Sequence, residues 1–150
     1  MENSKTTQFP PHLVPTSGKT MVLVTNQFKC ERIIKAGRII ADLSNTDLVV
    51  LNVQDSSYPP NPQAIQHLFN VSKENNAVMN VAYSDNASRT IVHFIKNTKP
   101  HNILSGMPQG NSSVLQKIWK KFIQLNFFVV GEDGKPQPVN KLMMASIEVM

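Results

Sequence analysis

Apolar runs alternate with amphipathic stretches along most of this chain. Met21-Val22-Leu23-Val24-Thr25 is almost wholly apolar, as in a strand covered on both faces. From Cys30 to Leu43, Ile33, Ile34, Gly37, Ile40 and Ala41 recur at helical spacing, with Glu31, Arg32, Lys35, Arg38 and Asp42 between them. Gly37 costs such a helix up to about 1 kcal/mol, and close approach to a sheet would compensate. Ser44-Asn45-Thr46 turns the chain into a second apolar run, Asp47 to Val53. Pro59, Pro60 and Pro62 break it, and a helix is predicted from Pro62 to Lys73 with Ile65, Leu68 and Phe69 inward and Ser72 at the edge of the same face. A third strand follows over Ala77 to Tyr83, then a helix over Ala87 to Asn97 that ends at Lys99-Pro100. Asn102 to Leu104 reads as the fourth strand, Val114 to Phe122 as the fourth helix and Phe127 to Val130 as the fifth strand. After Pro138 the spacing suits a last helix or an added strand about equally.

Four strand–helix units and a closing strand predict an α/β fold: an open five-stranded parallel sheet with helices on both faces. In such sheets ligands sit outside the carboxyl ends of the strands, where strand order reverses. Thr25, Asn26, Gln27, Val53, Gln54, Ser84, Asp85 and the Gly106–Ser113 part of the loop Ser105–Ser113 lie at those ends. That loop, Ser-Gly-Met-Pro-Gln-Gly-Asn-Ser-Ser, opens a helix, where backbone N–H groups favour phosphate. Gly106, Gly110, Ser112 and Ser113 are therefore candidate anion ligands, although a glycine turn with a Ser N-cap uses the same residues. Thr25 and Asn26 suit a base or sugar, or simply a turn. Asp85 suits a ribose, or the cap of the following helix.

The chain has 150 residues, enough for one domain with a sizeable core. Residues 1–19, rich in proline and polar groups, read as a flexible arm, 20–131 as the domain and 132–150 as a C-terminal extension. The net charge of +5 is modest, and Lys117, Trp119, Lys120 and Lys121 form its densest basic cluster. That is a thin footprint for nucleic acid, so none is expected; Trp119 is equally a partner-facing aromatic. Cys30 is the single cysteine, which suits a reducing compartment, and it reads as a semi-buried structural thiol. The four histidines are scattered and no metal site is expected. Gly18-Lys19-Thr20 imitates the end of a P-loop, but position 13 is Leu and a strand follows where a helix is needed. Nothing resembles a signal peptide or a bilayer span, so a cytoplasmic protein without direct membrane insertion is expected.

The segments Thr20–Thr25, Cys30–Ala41, Thr46–Val53 and Ala87–Gly106 together resemble a universal stress protein domain. The likeness is to the version in KdpD-type osmosensitive potassium-channel sensor kinases, and it covers roughly residues 20 to 130. It implies an adenine nucleotide alpha hydrolase-like sheet in the order 3-2-1-4-5. It also implies ATP, AMP or cyclic di-AMP as ligand, homodimers, a sensor-kinase or transporter partner, and signalling in place of turnover. In the family's phosphate loop a Gly is followed after two residues by a second Gly and, about nine residues on, by a Gly-Ser or Gly-Thr pair. Here Gly106 stands for the first, Gly110 comes one residue late, and Lys117 to Gln124 lie where the pair would be. Thr25-Asn26 stands where the family carries an acidic, ribose-holding residue. A ligand-free interaction module on the same fold is the alternative, with the fifth strand as its pairing edge.

Overall fold

The computed structural model describes residues 18–57, 59–108 and 113–139. Among them the elements run β1 (Lys19–Val24), α1 (Glu31–Ser44), β2 (Asp47–Asp55), α2 (Pro62–Glu74), β3 (Val78–Ser84), α3 (Ala87–Thr98), β4 (Asn102–Gly106), α4 (Ser113–Lys121), β5 (Asn126–Val130) and β6 (Pro136–Pro138). A 3-10 turn, Phe28–Cys30, leads into α1. The strands form one sheet, in the order β3-β2-β1-β4-β5-β6. β1 to β5 are parallel, and the central strands β1, β2 and β4, covered on both faces, carry the apolar runs. β6 returns antiparallel, with Phe128 opposite Pro138 and Val130 opposite Pro136. The expectation of an uncovered β5 edge is thereby corrected: Gly131 to Gly134 turns the chain back along it, so the outer strands are β3 and β6.

Successive strand residues feed opposite layers. Val22, Val24, Leu48, Val50, Leu104 and Val130 pack with Ile33 and Ile34 of α1 and Leu68 and Val71 of α2. Met21, Leu23, Leu51, Ile103 and Phe127 pack with Ile91 and Ile95 of α3 and with Ile118 and Trp119 of α4. Trp119, at 6% exposure, is a core residue and not a surface aromatic; the 115-118-119-122 stripe carries it inward and leaves Lys117, Lys120 and Lys121 outside. In α2 the buried arc is Ala64, Leu68, Val71 and Ser72. Phe69, expected inward, lies at the margin of that arc, 42% exposed, with the Lys73 ammonium 5.7 Å from its ring.

Gly37 does what the sequence requires of it. A Cβ there would stand 2.3 Å from Val22 Cγ2 and 3.0 Å from Leu48 Cδ1, so α1 rests its backbone directly on β1 and β2. At the amino ends of the strands a polar network ties the sheet together. Asn102 Nδ2 donates to Thr20 Oγ1 and to Ser44 Oγ, each at 3.0 Å, and Asn102 Oδ1 accepts from Asn126 Nδ2 at 3.2 Å. Thr20 and Thr46 hydroxyls meet at 2.6 Å. Thr20, Thr46 and Asn102 are buried, and each would cost about 1–3 kcal/mol if left unpaired.

Candidate functional site

β1 and β4 are neighbours, with Met21 beside Ile103, but their chains leave in opposite directions. β1 continues through α1 to β2, and β4 through α4 to β5, with α1 and α4 in opposite layers. The diverging connections open a crevice of about 590 Å³ at the carboxyl ends of the strands. Ligand pockets run roughly 300–1,000 Å³ and combine apolar walls with a few polar groups. Here Leu23, Ile33, Leu51, Val53, Ile91, Val114 and Leu115 supply the apolar lining, and Thr25, Gln27, Lys29, Arg32, Ser105 and Glu132 the polar groups.

The first wall is built by the turn after β1. Gln27 N–H donates to Thr25 O at 2.8 Å and Cys30 N–H to Gln27 O at 3.0 Å, which curls the chain into α1. Arg32, on the first turn of α1, donates from Nε to Gly131 O at 2.8 Å and from Nη1 to Lys29 O at 2.6 Å. It thus joins the β5–β6 turn to the head of α1. Glu31 fastens the same turn from the other side, to Lys35 Nζ at 2.6 Å and to His67 Nε2 of α2 at 2.8 Å. The hydrogen bond from Lys35, and then that from His67, holds the Glu31 carboxyl below its usual range. The His67 ring also lies 5.2 Å from that of Phe28. The second wall is the end of β4. A Cβ on Gly106 would lie 3.3 Å from Ile33 Cδ1 and 3.9 Å from Arg32 Nη2, so this glycine keeps the crevice open where the two walls approach.

Of the residues nominated from the sequence, Thr25, Val53 and Gly106 come together on this lining. Asn26 sits between two lining residues, and its side-chain Nδ2 and Oδ1 are both buried without a hydrogen-bond partner. Asn52, wholly buried within β2, likewise has an unpartnered Nδ2. Asp85 is exposed and stands apart from the lining. The cap expected of it comes from Asn86, whose Oδ1 accepts from Arg89 N–H at 3.2 Å. Gly110 and Ser112 lie outside the described residues, and Ser113 is described as the first residue of α4 by its backbone alone.

Ser105, the first residue of the loop singled out by the sequence, lies on the lining, whereas the sequence reading missed Lys29, Arg32 and Glu132. Lys29 and Arg32 lie beyond the end of β1, in the turn and helix that follow it. Glu132 follows the end of β5 and was set aside with the C-terminal extension. Cys30, expected to be structural, is buried in the core with Sγ 3.6 Å from Thr25 Oγ1, and one side of it reaches the crevice.

Strand order and layering define an α/β domain of the doubly wound type, with the crevice at the reversal of strand order. Among solved structures the fold is that of universal stress proteins. A member of that family from Burkholderia pseudomallei is similar over 75% of this chain and 95% of its own, with a TM-score of 0.54 and 11% identity. A universal stress protein from Archaeoglobus fulgidus matches over 71% and 88%, with a TM-score of 0.53 and 14% identity. A universal stress protein in complex with cAMP matches over 69% and 82%, with a TM-score of 0.50 and 13% identity. No family model and no curated protein matches the chain. Among the described residues no helix is long and apolar enough to cross a membrane.

Proposed function

We propose that the crevice binds an adenine nucleotide or cyclic dinucleotide, of the class of ATP, AMP or cyclic di-AMP, and that the domain works in signalling. The observation that carries this reading is the crevice itself. It has room for a nucleotide, an apolar lining suited to a base, and hydrogen-bonding groups at the reversal of strand order. The unpartnered amide of Asn26 beside it offers both a donor and an acceptor, as a base edge or sugar needs. One of the similar structures holds cAMP, which favours the adenine class. The described lining carries one carboxylate and no histidine, a poor supply of groups for acid–base hydrolysis, so the role we assign is binding without turnover.

Calorimetry with ATP, AMP and cyclic di-AMP tests the reading. At least one should bind the wild-type chain, and Gly106→Leu, which projects a side chain between the two walls, should abolish that binding while the fold persists. Flat titrations with all three would remove it.

The second reading is a dimeric interaction module that regulates a partner protein such as a sensor kinase or transporter. It is favoured by the outer strand β3, where Val78 and Tyr83 are 67% and 61% exposed. Strand addition uses such edges.

A further inference from the structure

We infer that the crevice takes the ligand's phosphate on the first turn of α1, through Arg32 and Lys29. The inference rests on the nucleotide reading above and assigns the residues that distinguish a phosphorylated ligand from a bare nucleoside.

Three observations converge. Both cations on the described lining, Lys29 and Arg32, come from the segment that follows β1. Arg32 is held in place from one side. Nε and Nη1 are fixed on the carbonyls of Gly131 and Lys29, while Nη2 is turned toward Gly106 at the end of β4. A guanidinium anchored in this way has lost its conformational freedom before any ligand arrives, so an oxyanion meeting Nη2 need not order it. Finally, α1 is fourteen residues long, its N-cap, Cys30, makes no side-chain cap bond, and the one carboxylate of its first turn, Glu31, is taken up by Lys35 and His67. Against these stands Glu132, the lining's one carboxylate, next in sequence to the Gly131 carbonyl that Arg32 holds. It reduces the positive potential of this wall and sets a penalty against ligands carrying excess negative charge.

Titration of wild type, Arg32→Met, Arg32→Lys, Lys29→Met and Glu132→Gln with ATP, AMP and cyclic di-AMP tests this, with adenosine as the probe lacking phosphate. Arg32→Met should weaken the phosphate-bearing probes about ten- to a hundredfold and leave adenosine unchanged. Arg32→Lys should recover part of the loss. Lys29 is exposed, so Lys29→Met keeps the fold and should weaken the same probes about two- to tenfold. Glu132→Gln should tighten them by about two- to fivefold. If wild type binds these probes and the Arg32 and Lys29 variants bind equally well, the inference falls and the nucleotide reading stands. Equal losses for adenosine and ATP would make Arg32 a structural tie and overturn the inference. No binding to wild type would overturn both.

Discussion

At the scale of single residues, Gly37 gives the sharpest stability test. Alanine is the better helix former by about 1 kcal/mol, so propensity alone predicts that Gly37→Ala stabilises. The contact with Val22 reverses the sign, because a Cβ placed 2.3 Å from a buried, β-branched methyl forces α1 off the sheet. Urea unfolding should show a loss of about 1–3 kcal/mol, the usual range for overpacking; a gain would mean that the helix sits farther from β1 and β2. Glu31 gives the pH test. Its carboxyl is held below the ordinary value of 4.5 by Lys35 and His67, so the charged form is favoured by folding. Its contribution is present above that value and is lost as pH falls through the lower, folded pKa. The stability difference between wild type and Glu31→Gln should therefore hold level from pH 7 to about 5 and shrink below about 4.5. A difference that persists unchanged under more acid conditions would dissociate Glu31 from this pairing.

At the scale of elements, the sheet's two outer strands are unlike. β6 is three residues long with Pro136 and Pro138 at its ends, and proline has no N–H to offer a new strand. β3 has seven residues, no proline, and Val78, Val81 and Tyr83 exposed. If the domain pairs with a second copy through an edge, β3 is the better one. Sedimentation velocity should then show a wild-type dimer that Tyr83→Lys converts to monomer; a dimer indifferent to Tyr83→Lys would move the interface elsewhere. The elements themselves were legible because covered parallel strands leave unbroken apolar runs and their crossovers keep helical spacing. Where the reading slipped, a single position at the edge of an apolar arc was at stake. Hydrophobicity places Phe69 inside, yet the true arc runs through Ala64, small and uninformative, and through Val71 to the Ser72 that the spacing gives. Trp119 was judged by its lysine neighbours, which a helix sends to the opposite side. An added strand is one of the two readings the sequence allows for the C-terminal extension, but not its place at Pro136–Pro138, since two prolines in three residues argue against a strand anywhere but an edge.

At the scale of the whole molecule, the position of the site was legible and its chemistry was less so. Strand order places the crevice, and Thr25, Val53 and Gly106 follow from it directly. Arg32 did not, because on a helical pattern it reads as one more solvated charge; only the fold brings the Gly131 carbonyl, ninety-nine residues on, within its reach. Asp85 was chosen for its charge at a strand end, but β3 is the strand farthest from the reversal on its side of the sheet. The most direct test of a ligand crevice between β1 and β4 is a nitrogen-15 amide shift titration of the full chain with ATP, AMP and cyclic di-AMP. Saturable shifts gathered at Thr25, Gln27, Arg32, Val53, Ser105 and Gly106 are expected with at least one of them. Shifts gathered instead over Asn80, His93 and Asn97, on the α3 side of the sheet, or none with any ligand, would contradict it.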